Sequence, residues 1–424
     1  MRIVRSNDRK ALAHLMRARQ SRLAGAERVA RRILADVRKQ GDAALARYSR
    51  KLDGVDLRAE GFTVTRAEIR KAYKLVPPGF VSAVRAAAKN IRAVAERQLP
   101  SEWKAKTAPG VEISQIVRPL ERVVCYVPGG RFPLPSTVLM SVIPAQVAGA
   151  REVLVTSPRP APAVLVAADV LGVKKVFRLG GAQAIGAFAF GTRKVPRADK
   201  IVGPGNRFVA AAKKLVAGEG GIDFVAGPTE LVVAGARGKP EWIAADLVAQ
   251  AEHDPDAVAI FITPSRDLAT QVQLALARAL KELRFPVAEK SLAQQGAIIV
   301  TRNAAESIEL INRLAPEHLT LLDDAKSWLP RVQSAGSIFL GGWSPVAAGD
   351  YASGTNHILP TGGAARLRAG LSAADFVKTI SVQELDRRGL RQLRGAIVTL
   401  ARTEGLKAHA YSVEARFTSR GQTP

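Results

Sequence analysis

One cysteine stands in 424 residues, so no disulfide can form within the chain and a reducing compartment suits it. That thiol, Cys125, lies in the apolar run Val123-Val-Cys-Tyr-Val127, which reads as a packed strand. Aromatic residues are scarce, at 5%, and do not interleave with basic ones as they do in modules that bind nucleic acid. No apolar run approaches the roughly 20 residues that cross a bilayer. Met1-Arg-Ile-Val-Arg-Ser6 lacks the apolar centre of a secretory signal, so the expected location is cytoplasmic. Acidic residues are few, 37 against 63 basic ones, for a net charge of +26. Residues 1–50 alone carry 14 Lys and Arg against 4 Asp and Glu. Spread along helices such as Glu27-Arg-Val-Ala-Arg-Arg-Ile33, this charge reads as a solvated surface that also attracts anionic nucleotides. Nucleic acid is not the expected partner. A basic nucleic-acid binder on an inactive scaffold is the rival reading, and it requires affinity that falls steeply with salt.

What is present is the patterning of a large globular chain, 47% apolar with mean hydropathy +0.03. Its length predicts two or more domains. Residues 1–100 show apolar positions at three- and four-residue steps and read as helices. From about residue 112, short apolar runs alternate with helical patterns. Predicted strands are 123–127, 152–156, 175–179, 200–202, 231–234, 257–263, 297–301, 319–322 and 337–340. This alternation predicts an α/β fold with two parallel sheets, each covered on both faces. Ligands in such sheets bind beyond the C-terminal ends of the strands. There the glycine-rich turns fall: Tyr126-Val-Pro-Gly-Gly130, Gly180-Gly-Ala-Gln183 and Gly203-Pro-Gly-Asn206. Each can bring backbone N–H groups to a phosphate at a helix N-terminus, although no complete G-x-G-x-x-G is present.

The stretch richest in chemistry runs from Pro240 to Asp254. Pro240 suits the first position of a helix. Near its end Gln250 and His253, three apart, share a face and offer an amide oxygen and an imidazole together. Only five histidines occur, and four of them, His253, His318, His357 and His409, have a carboxylate nearby in sequence. Such clusters are candidates for metal ligation and proton transfer. Taken singly, each is as readily a surface or turn residue.

Several long strings in one order resemble the histidinol dehydrogenase family. They are Tyr126-Val-Pro-Gly-Gly130 with Pro135-Ser-Thr-Val-Leu-Met140, Gly180-Gly-Ala-Gln-Ala-Ile185, Gly203-Pro-Gly-Asn206 and Ala226-Gly-Pro-Thr-Glu230. Further along come Gln250-Ala-Glu-His253, Ala315-Pro-Glu-His-Leu319, Ala348-Gly-Asp-Tyr-Ala-Ser-Gly-Thr-Asn-His-Ile-Leu-Pro360 and Glu404-Gly-Leu-Lys-Ala-His409. The resemblance implies a zinc enzyme that oxidises L-histidinol through L-histidinal to L-histidine, the last step of histidine biosynthesis, with two NAD⁺ and one water. It implies Gln250, His253, Asp350 and His409 as ligands of one zinc per subunit. It also implies His318 as the base and Glu317 as the water activator. Thr229, His357 and Glu404 would touch substrate, together with the ligands and His318; Tyr126, Gln183 and Asn206 would touch NAD⁺.

The implied fold has two Rossmann-like domains, an N-terminal helical segment (1–21) and a small C-terminal helical tail (372–424). Residues 22–125 and 229–371 form the first domain, with the zinc and catalytic residues; 126–228 form the second, with the NAD contacts. In the family the enzyme is a homodimer, and the tail of one subunit completes the active site of the other. One departure is visible: Thr229 stands where the family pattern usually carries serine, which keeps the hydroxyl and adds a methyl. A paralogue acting with NAD on another small polar alcohol is the alternative.

Overall fold

A computed structural model describes residues 1–19, 23–130 and 132–418. The chain divides into two compact units, Met1–Gln98 with Leu120–Phe376, and Leu99–Pro119 with Val377–Pro424. The first unit holds two all-parallel sheets. One has six strands in the order Arg2–Arg5, Ala297–Val300, Val258–Thr263, Glu230–Ala234, His318–Leu321, Ser337–Leu340. The other has five, in the order Val176–Phe177, Glu152–Thr156, Arg122–Tyr126, Lys200–Val202, Gly221–Ile222. Central strands such as Val258–Thr263 and Glu230–Ala234 are buried at every residue, because helices cover both faces of a parallel sheet.

Three expected assignments are corrected. The N-terminal segment is not purely helical: Arg2–Arg5 adds an edge strand to the six-stranded sheet, pairing with Ala297–Val300 before the helix Arg9–Ala18 begins. Residues 20–22 lie outside the described residues. The helices after them were assigned to the sheet of residues 229–371. Instead Ala26, Ala30, Ile33, Leu34 and Val37 of helix Ala24–Gln40 share a core with Leu154, Phe177, Ala184 and Phe188 of the five-stranded sheet and its helices. The contact is close: a Cβ on Gly186 would lie 2.9 Å from a terminal methyl of Leu34, so a larger residue there would have to push that side chain aside. Arg122–Tyr126, assigned with the first domain, is the middle strand of the five.

The second unit holds a three-stranded antiparallel sheet of Val377–Leu385, Val111–Pro119 and Trp103–Ala108, followed by helices Arg387–Thr403 and Lys407–Glu414. The tail, expected to be mostly helical, also contributes a nine-residue strand. Val377–Leu385 is almost wholly exposed and alternates only over Ile380-Ser-Val382; its nine-residue pairing with Val111–Pro119 makes it a strand.

Candidate active site

Helix Ala304–Leu314 ends at Ala315, whose φ of 47° is a left-handed cap, and its N–H bonds to Ile311 O at 2.8 Å. That turn delivers Glu317 and His318 to the start of strand His318–Leu321. Thr229 immediately precedes the neighbouring strand, Glu230–Ala234. The Glu230 backbone holds both acid–base candidates. Its N–H donates to Glu317 Oε2 at 2.6 Å, and its carbonyl accepts from His318 Nδ1 at 3.0 Å. Since a carbonyl only accepts, His318 carries its permanent proton on Nδ1, and Nε2 is the atom that titrates. Nε2 is buried with no hydrogen-bond partner, 3.5 Å from Asp350 Oδ1.

Glu230 had not been singled out from the sequence. The residue is 1% exposed; Oε2 pairs with Arg19 at 2.6 Å and Oε1 accepts from Gly362 N at 2.9 Å. Burial raises this carboxyl above the ordinary range despite its pairing with Arg19. A glutamate opening a fully buried strand was the available signal.

Gln250, buried near the end of helix Pro240–Ala251, donates from Nε2 to Thr229 Oγ1 at 2.7 Å. Thr229 Oγ1 in turn lies 2.7 Å from Glu317 Oε2. His253 follows the helix end and is exposed. Asp350 sits in the short helix Val346–Tyr351, and its backbone carbonyl accepts from His357 Nδ1 at 2.9 Å. Burial lowers the His357 pKa, and its Nε2 lies 3.3 Å from Thr137 Oγ1.

Burial alone would lower the His318 pKa, but the Glu317 charge and the adjacent Asp350 carboxylate overturn that and raise it to about 10. Burial in turn raises Asp350, and His318, with His357 and His253, brings it below the usual carboxylate value.

Thr229, Gln250, His253, Glu317, His318, Asp350 and His357 all line one cavity of about 780 Å³. Its opposite wall is the C-terminal edge of the five-stranded sheet, with Pro128 and Gly203-Pro-Gly-Asn206. At Gly203 φ is 116°, and a Cβ would strike the Tyr126 carbonyl, so the tight turn requires glycine. A buried Lys213–Asp223 pair grips this turn, Lys213 Nζ donating to Gly203 O at 3.0 Å and Gly203 N donating to Asp223 Oδ2 at 2.7 Å.

An adjoining cleft of about 910 Å³ is lined by Tyr126, Gln183 and Asn206. Its size is within the roughly 300–1,000 Å³ of small-molecule and cofactor sites. The Tyr126 hydroxyl accepts from Gly181 N at 3.1 Å, Gln183 Nε2 donates to Asp53 at 2.8 Å, and Gln183 Oε1 is buried without a partner. Asn206 Oδ1 caps helix Arg207–Val216 through Phe208 N and Val209 N at 3.0 and 3.1 Å. Burial raises Asp53 to about 6, against the opposing effects of Arg159 and Gln183. The orphaned amide oxygen and the glycine turns at helix N-termini suit a dinucleotide.

Among the described residues no three of His, Cys, Asp and Glu converge on a metal position. His253 and Asp350 supply two such groups at the cavity, and Gln250, an amide, supplies another kind of donor. An amide oxygen, an imidazole and a carboxylate fit a divalent ion one ligand short of four. Glu404 and His409 belong to the second unit, where both are exposed at the junction of its two helices.

The family model described as Histidinol dehydrogenase matches residues 16–417. The chain belongs to the histidinol dehydrogenase family. It is 47% identical over 394 residues to the histidinol dehydrogenase of Methanothermobacter thermautotrophicus, covering 91% of this chain and 92% of that protein. The corresponding protein of Moorella thermoacetica is 48% identical over 394 residues, covering 91% and 93%. A crystal structure of histidinol dehydrogenase from Elizabethkingia anophelis superposes with a TM-score of 0.93 at 35% identity, over 98% of each chain. Histidinol dehydrogenases are NAD-dependent oxidoreductases of histidine biosynthesis, and the family uses zinc. No helix among the described residues is long and apolar enough to cross a membrane.

Proposed function

We propose that the chain oxidises L-histidinol to L-histidinal and then to L-histidine at the 780 Å³ cavity, with NAD⁺ drawn from the adjoining cleft. The observation that carries this reading is the shared grip of the Glu230 backbone on Glu317 and His318. It holds two proton-transfer groups within reach of one substrate position. His318 accepts the alcohol proton at Nε2, the atom with no partner in the protein. Glu317 takes a proton from the water that attacks the aldehyde. Acid–base groups positioned in this way contribute about 10²–10⁴-fold each.

Gln250, His253 and Asp350 would hold zinc, which when bound fixes and orients the substrate. A cation sharing the Asp350 charge would weaken one of the two supports of the His318 proton, the other being the Glu317 charge, and so would lower the imidazole's pKa. Thr229 and His357 line the substrate cavity, while Tyr126, Gln183 and Asn206 line the cofactor cleft.

The fourth ligand is His409, contributed by a second copy of the chain in a homodimer, with Glu404 beside it. Exchange of a terminal element is an accessible route to such a dimer. Mixing inactive His409→Ala subunits with inactive Gln250→Ala, His253→Ala subunits should restore activity, because one site of each mixed dimer escapes both defects. If verified subunit exchange restores nothing, all four ligands belong to one chain. For the reaction itself, the test is NADH yield per L-histidinol with zinc-loaded protein. Two is expected; one, or none, would point to a paralogue acting on a different alcohol, which the extra methyl of Thr229 keeps in play.

A further inference from the structure

Glu317 Oε2 receives two donors, the Glu230 N–H at 2.6 Å and the Thr229 side chain at 2.7 Å. An oxygen already accepting from a backbone N–H does not also donate to Thr229 in that geometry, so the single Thr229 hydroxyl proton points to Glu317. Its oxygen is then left as an acceptor for whatever Gln250 presents, 2.7 Å away. Only the NH₂ end of the amide can donate there. Gln250 Oε1 is thereby the end freed for a cation, and the sense of the amide is fixed by a carboxylate two bonds away.

From this one-way chain we infer that Thr229 is a positioning residue, whose hydroxyl sets the amide sense of Gln250 and anchors Glu317 by one oxygen. The inference rests on the proposed roles of Gln250 and Glu317 and deepens them. It couples the metal position to the water-activating group: Gln250 N–H donates to Thr229, and Thr229 O–H donates to Glu317. Glu317 Oε1 stays outside these bonds and is the oxygen available to a water. The methyl that distinguishes threonine from serine restricts rotation about χ1, which holds the hydroxyl in this bridging position. Valine at this position keeps the shape and removes both hydrogen bonds, leaving the amide free to turn its nitrogen toward the cation.

The decisive experiment measures zinc affinity by chelator competition, without substrate, for the parent, Thr229→Val, Thr229→Ser and Gln250→Ala. Partners that orient metal ligands typically change affinity about 10–100-fold when removed, and Thr229→Val is expected to weaken zinc binding by that factor. Thr229→Ser, which keeps the hydroxyl, should restore it. A general loss of packing would not be rescued by the smaller serine. If Thr229→Val does not fold, Thr229→Ala removes the same hydroxyl without adding bulk and is read in the same way. Parental zinc affinity in the hydroxyl-free variant, with Gln250→Ala weakened, would overturn the relay alone. Parental affinity in Gln250→Ala as well would overturn the ligand assignment and the relay with it.

Discussion

The two parallel sheets of the first unit present opposite ends to the same cavity. The five-stranded sheet follows the usual rule: its ligand-facing turns, after Arg122–Tyr126 and Lys200–Val202, lie beyond the C-terminal ends of the strands. The six-stranded sheet reverses it. Thr229 and the Glu317–His318 pair stand at the N-terminal ends of Glu230–Ala234 and His318–Leu321. The difference is chemical as well as geometric. C-terminal edges followed by glycine turns and helix N-termini offer backbone donors to an anionic cofactor. The N-terminal edge used here offers side chains clamped by the backbone of a neighbouring strand's first residue, which is what proton transfer needs.

If that division holds, substitutions at the two edges should fail in different ways. The largest effect belongs to the six-stranded edge. His318→Asn should slow oxidation of histidinol by about 10²–10⁴-fold, the usual worth of a general base, while metal analysis finds zinc retained. Loss of the metal would erase the distinction between ligand and base.

At the five-stranded edge, Asn206→Asp keeps the helix cap, since aspartate caps as well as asparagine. It places a negative charge beside the cofactor cleft, and the KM for NAD⁺ should rise roughly tenfold, on the scale of one charge-assisted hydrogen bond. The kcat and the zinc affinity should stay near parental values. A kcat loss as large as that of His318→Asn would merge the two edges into one functional unit.

The smallest effect is on stability. Asp53 is raised to about 6 by burial, so its ionised form is disfavoured in the folded state. A raised carboxyl adds no penalty below its unfolded value near 3.8 and a growing one as pH rises toward 6, complete above it. Asp53→Asn should therefore stabilise the protein above pH 6, by on the order of 1 kcal/mol after allowance for solvent screening, and hardly at all near pH 4. Thermal unfolding across pH 4–7.5 reads the difference directly.

Much of this architecture was legible because the buried strands are nearly continuous apolar runs. Glu152–Thr156, Lys200–Val202 and Ser337–Leu340 match their sequence-based limits end to end. Partnership was less legible. The apolar stripe of Ala24–Gln40 says that the helix is covered, but not that the facing surface is the Gly186 helix. Val377–Leu385 escaped because its apolar residues are few and exposed and its identity as a strand comes from its neighbour. At the site, residues with distinctive side chains could be found from their motifs. Glu230 carries only a weaker signal, a glutamate opening a fully buried strand, because its contribution is made by its backbone. Of the two carboxylates that raise the His318 pKa, Glu317 is its sequence neighbour, whereas Asp350 reaches it from a distant part of the sequence.

The most direct test of the division between two proton-transfer groups on one sheet edge is Glu317→Gln, assayed separately with histidinol and with histidinal. Glutamine keeps an oxygen to accept from Thr229 and Glu230 but cannot take a proton from water. Histidinal oxidation should fall by about 10²–10⁴-fold while histidinol oxidation falls far less. Equal slowing of both half-reactions would contradict the assignment of Glu317 and His318 to successive stages.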